Sequence, residues 1–260
     1  MTPDMGFVDI DGVRLECRWA GARRDGAPVL VFLHEGLGSV SLWRDFPDQV
    51  AAATGLAAFV FSRQGYGGSS PIALPRPLDY LEREGRDVLP RVLDAAGIAS
   101  AILIGHSDGA SIALVHAALD RSGRVRAVAA LAPHTFVEDV CLAAIAQVRE
   151  SYAASLRPRL ERHHGANVDN AFYGWNDTWL HPGFKAMDLR PLLPAITVPA
   201  LVIQGDDDEY ASAAQVDEVV AGVGGAVRGL MLPACGHSPQ RDQPAAVIAA
   251  IAELVRPLSG

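Results

Sequence analysis

The chain has 260 residues, half of them hydrophobic and a fifth charged, which is enough apolar surface for a sizeable core and excludes disorder as a global description. The formal charge is −8, and Lys185 is the one lysine among 22 basic residues, so no lysine-rich patch offers itself to phosphate backbones and nucleic-acid binding is not expected. Cys17, Cys141 and Cys235 are odd in number and lack C-x-x-C spacing, which excludes a disulfide framework and a cysteine zinc site.

The three cysteines read as free thiols in a reducing compartment. The N-terminal stretch lacks a basic segment followed by an apolar one, and no apolar run has the length of a membrane span, so a cytoplasmic protein without a membrane partner is expected.

In chain order, apolar strand patterns at 7–10 and 13–19 are joined through Asp11-Gly12 and read as an antiparallel hairpin. A strand at 28–33 precedes a helical pattern at 42–53, and a strand at 57–62 precedes one at 80–96. Strands at 101–105 and 125–131 flank a helix at 110–119. The alternation stops between about 137 and 193, where helical periodicity, aromatic residues and polar residues predominate without a strong strand. Pro191, Pro194 and Pro199 mark the return to the sheet, because proline cannot sit within a central strand. Strands at 200–204 and 227–232 then alternate with helices at 213–221 and 245–255. The pattern predicts an α/β fold with a mostly parallel central sheet and helices on both faces. Its core spans 1–136 and 194–260, and a helical cap at 137–193 is inserted after the sixth strand.

Chemistry concentrates where strands end. Gly105-His106-Ser107-Asp108-Gly109 follows the 101–105 strand and opens the next helix, which fits the nucleophile elbow G-x-S-x-G. Such a sharp turn presents a serine oxygen above the sheet, and it leaves the Asp108 N–H unpaired at a helix start, where it can meet a negative oxygen. A serine hydroxyl needs a base, and a base needs an acid to orient it. His237 lies in the loop after the last strand, and Gly205-Asp206-Asp207-Asp208-Glu209 follows the 200–204 strand. Parallel strands bring those loops to one rim of the sheet.

These residues together resemble the α/β-hydrolase superfamily over nearly the whole chain. His34-Glu35-Gly36-Leu37-Gly38-Ser39 resembles its H-G-x-x-G loop, with Trp43 following, and Ser62-Arg63-Gln64-Gly65-Tyr66-Gly67-Gly68-Ser69 resembles its R-G-x-G-x-S segment. The resemblance implies Asp208 as the acid, with Asp206 and Asp207 as fallbacks, and the Gly36 and Asp108 N–H groups as an oxyanion hole. It also implies that His106 packs beneath the elbow. Glu35 departs from the pattern, which usually has glycine there.

Phe172, Tyr173, Trp175 and Trp179 read most simply as the packed core of a small lid. Trp175, Trp179, His134 and Glu35 are also expected to border a substrate pocket. His163-His164 point apart on a helix, and His34-Glu35 lacks the second histidine of H-E-x-x-H, so no metal is expected. The glycine-rich turns complete no nucleotide fingerprint, and no cofactor is expected.

The expected activity is cofactor-independent serine hydrolysis of a small carboxylic ester or thioester through an acyl-enzyme. The alternatives are carbon–carbon bond hydrolysis of a vinylogous diketone, or a non-catalytic ligand receptor on the same fold. Serine in place of a carboxylate nucleophile argues against dehalogenase and epoxide hydrolase chemistry. The expected partner is a small-molecule substrate, with the protein a monomer or homo-oligomer.

Overall fold

The computed structural model describes residues 4–258. Strands β1 (Asp4–Ile10) and β2 (Val13–Ala20) form the expected hairpin, with Ile10 opposite Val13. Asp11 and Gly12 both take positive φ, 54° and 84°, the two-residue turn whose twist suits a hairpin. Strands β3 (Val29–Leu33), β4 (Ala58–Phe61), β5 (Ala101–His106), β6 (Val125–Leu131), β7 (Ala200–Gly205) and β8 (Val227–Leu232) complete one sheet. Its order is β1-β2-β4-β3-β5-β6-β7-β8. The β1–β2 and β2–β4 pairs are antiparallel, and every other pair is parallel.

Strand periodicity divides the core into two layers. Leu30, Phe32, Val60, Ile102 and Ile104 enter one apolar cluster with Phe46, Val50, Val247 and Ile251. Val31, Leu33, Phe59, Phe61 and Leu103 enter the other with Val92, Ile112, Val216 and Val219. The first layer lies under α1 (Phe46–Thr54) and a later helix, residues 244–255. The second lies under helices of the opposite face, α2 (Tyr80–Arg83), α3 (Leu89–Ala95) and α4 (Asp108–Leu119) among them. Between β6 and β7 the chain makes α5 (Asp139–Ser151), α6 (Arg157–His164) and α7 (Val168–Trp179). After β7 come α8 (Ala214–Gly222), α9 (Pro239–Asp242) and α10 (Pro244–Val255). Among the described residues no helix is long and apolar enough to cross a membrane.

Two helices differ from their sequence patterns. The helix expected at 42–53 begins at Phe46, because Arg44 turns to φ 53° and ends a short 3₁₀ turn, Ser41–Trp43. The helix expected at 80–96 is interrupted by a π-helical turn, Glu84–Val88, just before Pro90. Proline has no N–H to continue the ladder, and a wider turn absorbs the missing bond.

The link between β5 and α4 tolerates no side chain at either flank. A Cβ on Gly105 would lie 2.2 Å from the Gly109 carbonyl oxygen, and one on Gly109 would lie 2.0 Å from that of Leu33. Both neighbours are backbone, so Gly109→Ala forces strands and helix apart. It is expected to lower the unfolding free energy by about 1–3 kcal/mol in urea titration. A change below about 0.5 kcal/mol, the range of an ordinary surface substitution, would contradict this packing account.

Candidate active site

Ser107 follows β5 and caps α4 at φ 53° and ψ −118°, a backbone region that L-residues rarely occupy. Its Oγ lies 3.0 Å from His237 Nε2, although 130 positions separate them in the chain. His237 Nδ1 in turn lies 2.9 and 3.0 Å from the two carboxylate oxygens of Asp208. The three side chains therefore lie in line, with the imidazole proton held on Nδ1 by the carboxylate and Nε2 free to accept from the hydroxyl. The Asp208 side chain is fully buried, and His237 is 12% exposed. Burial alone would raise the Asp208 carboxyl, but the hydrogen bond and charge of His237 and the Tyr210 N–H hold it below the ordinary range.

Asp206 and Asp207 are exposed, and among the described residues neither carboxylate touches His237. Their backbone matters instead: the Asp206 N–H donates to the Leu232 carbonyl and the Asp207 N–H to that of Cys235, tying the acid loop to the histidine loop. Gly205 is required at this seam, since a Cβ there would meet the Cys235 carbonyl oxygen at 2.0 Å. Glu209 accepts from the His237 N–H at 3.2 Å, and the Tyr210 ring lies 4.7 Å from the imidazole. The sequence placed Glu209 in the acid loop without this contact and did not single out Tyr210, whose one signal was adjacency to that loop.

The loop after β3 is equally constrained. Arg63 N–H donates to His34 Nε2 at 3.0 Å, so the His34 proton sits on Nδ1 and is given to the Glu35 carbonyl at 2.7 Å. The same carbonyl accepts from Arg63 Nη2 and the Gly38 N–H. A trans peptide points its N–H opposite to its C=O, so fixing the Glu35 carbonyl on the core side turns the Gly36 N–H outward. Gly36 lines a cavity of about 260 Å³ that also holds Ser107 and His237. Among the described residues neither the Gly36 nor the Asp108 N–H finds a protein acceptor. For Asp108 this follows from its place in the first turn of α4.

The other sequence-predicted residues gather around this cavity. Glu35, His134, Trp175 and Trp179 all line it. Trp175 packs on Gly36, where a Cβ would meet its ring at 2.3 Å. The Trp179 indole N–H lies 2.9 Å from the Tyr80 hydroxyl and 3.2 Å from Asp108 Oδ1. Tyr80 donates to Asp108 Oδ2 at 2.6 Å, so the carboxylate of the residue after Ser107 anchors a tryptophan of α7. Phe172, by contrast, stacks on Tyr152 at 3.5 Å within the helical segment, and Tyr173 is exposed. His106 does more than pack: its Nε2–H donates to the His237 carbonyl at 2.8 Å, and its Nδ1 lies 3.0 Å from the Gln240 side-chain amide.

Glu35 Oε2 lies 3.4 Å from His106 Nδ1. Burial works against the Glu35 charge, but hydrogen bonding and charge from His106 outweigh it and hold the carboxyl at about 2. A carboxyl depressed in the folded state stabilises fully above its unfolded value near 4.3 and loses that contribution as pH falls toward 2. Urea midpoints at pH 5 and pH 3 should therefore fall more steeply in wild type than in Glu35→Gln. Equal losses would remove the Glu35–His106 interaction from the account.

A family model described as the alpha/beta hydrolase family matches residues 30–250. The chain is 31% identical over 134 residues to the dihydrolipoyllysine-residue acetyltransferase component of the acetoin cleaving system of Cupriavidus necator, covering 52% of this chain and 33% of that protein. It is 35% identical over 129 residues to epoxide hydrolase A of Mycobacterium tuberculosis, covering 50% and 38%. The matched part thus spans little more than a third of either relative. The crystal structure of the enol-lactonase from Burkholderia xenovorans LB400 is similar in fold, with a TM-score of 0.72 at 24% identity, covering 96% of this chain and 100% of that one. Because the family match runs from the third strand of the sheet into its last α-helix, the chain belongs to the alpha/beta hydrolase family.

Proposed function

We propose that the protein is a serine hydrolase that cleaves a small carboxylic ester or thioester through an acyl-enzyme. The carrying observation is the Ser107–His237–Asp208 line, with contacts of 3.0 and 2.9 Å, opening into a cavity. In this reading His237 takes the Ser107 proton as Oγ attacks the carbonyl carbon. It then gives the proton to the departing alcohol or thiol. Asp208 keeps the imidazole in the right tautomer and stabilises the imidazolium. The Gly36 and Asp108 N–H groups receive the oxyanion, a pair of donors whose individual loss typically costs about 10²–10³ in kcat. Water, activated by the same histidine, then frees the acyl group.

The apolar walls supplied by Trp175 and Trp179 suit an uncharged acyl or aryl group, and α5–α7 serve as a cap over it. Resemblance to an epoxide hydrolase does not extend to its chemistry, because an alkyl-enzyme ester needs a carboxylate where this chain has Ser107.

A fluorophosphonate probe is expected to label wild type and not Ser107→Ala, and p-nitrophenyl or thioester substrates are expected to turn over. Asp208→Asn should retain the fold and lose about 10³–10⁴ in kcat, since the wrong tautomer of His237 then prevails. An unlabelled, well-folded wild type would leave a ligand receptor in its place. Turnover confined to a ring-cleavage dienoate would make it a carbon–carbon bond hydrolase.

A further inference from the structure

His134 is held as firmly as any residue of the site, yet its ring is idle. The backbone turns out of β6 with Ala132 at φ 46°. The His134 N–H then donates to Ser111 Oγ at 3.0 Å, and Ser111 Oγ donates back to the His134 carbonyl at 2.7 Å. Next along, the Thr135 N–H donates to Gln215. The imidazole, by contrast, makes no hydrogen bond among the described residues: its Nδ1 is buried without a partner, and Nε2, which is not among the buried atoms, is the nitrogen left open to a ligand.

A buried polar group left unpaired is costly, and such groups normally find protein or water partners. His134 is 2% exposed and lines the same cavity as Ser107. Its ring centre lies 5.5 Å from that of His237 and 5.1 Å from that of Trp179. Burial and the neighbouring His237 push its pKa down to about 3, so the ring is a neutral imidazole with one N–H and one lone pair. The same cavity carries two carboxylates, Glu35 and Glu209, against one guanidinium, Arg241. That balance disfavours an anionic substituent beside an uncharged ring.

We infer that His134 is a specificity residue that donates from Nε2–H to a carbonyl or hydroxyl oxygen of the substrate other than that of the scissile bond. The inference rests on the hydrolase reading and deepens it. The substrate class becomes an uncharged ester or thioester with an oxo or hydroxy substituent near the reacting carbonyl, and not a plain alkyl ester. A site that spends a buried polar group on such an oxygen rejects the analogue lacking it, because the group is then left unpaired.

The test compares phenyl butanoate with phenyl 3-oxobutanoate, and propyl butanoate with 2-oxopropyl butanoate, so that acyl and alcohol sides are both sampled. With kcat/KM corrected for uncatalysed rates, wild type is expected to prefer the oxo member of at least one pair by about 10- to 100-fold. In His134→Leu or His134→Phe, whichever still labels with fluorophosphonate, that ratio should fall to near one. His134→Gln, which keeps an N–H donor, should restore part of it. A ratio unchanged by loss of the imidazole, or no oxo preference in either pair, would overturn the inference while labelling of Ser107 leaves the hydrolase reading intact. A wild type that does not label would instead count against that reading itself.

Discussion

A serine with positive φ has to be held there, at a cost of order 1–3 kcal/mol that the rest of the fold must offset. Here the Ser107 N–H is given to the Leu131 carbonyl, and the Ser107 carbonyl accepts from the Ala110 and Ser111 N–H groups. Gly105 and Gly109 let strand and helix close on the turn. With the backbone so fixed, three consecutive side chains go to three different destinations. His106 supports the carbonyl of His237, Ser107 faces the cavity, and Asp108 reaches Tyr80 and Trp179. One strained turn thereby aligns the Ser107 hydroxyl, the His237 imidazole and the inserted helices.

The attachment of α5–α7 is polar where it nears the chemistry. Besides Trp179, His164 accepts from the Gly67 N–H through Nδ1 and donates from Nε2 to the Leu37 carbonyl, each at 3.0 Å. It joins α6 to two core loops at once. Arg63 and Asp108 are both about 1% exposed, 3.5 Å apart, with Tyr80 between Asp108 and the indole. Desolvation of such charges consumes much of their attraction, so the gain lies in a single defined placement of these helices more than in net stability.

Much of this was legible in the chain because parallel strands buried on both faces appear as solid apolar runs, and because the elbow requires small residues at fixed offsets. The parallel strands β3 to β7 coincide with such runs, whereas β1 and β2 show as the alternating strands of a hairpin and β8 is only partly buried. The break of the 80–96 helix was harder to see, since Pro90 constrains the ladder without saying how the backbone will absorb it. Likewise, four adjacent carboxylates are chemically alike until the seam at Gly205 and Cys235 turns Asp208 inward and leaves Asp206 and Asp207 in solvent. The roles of Tyr80, His106 and His164 depend on contacts spanning 28, 131 and 127 positions, which no local pattern encodes.

The polar attachments of the inserted helices also bear on how such a protein diversifies. Side chains on the cavity wall of α5 and α7 can drift and remould the space above Ser107 without disturbing the sheet. Trp179 and His164 are not free in the same way, because each serves the core as well as the segment that carries it. Change is thus channelled into cavity-lining positions such as Cys141 and Ile145, which make no such bond to the core.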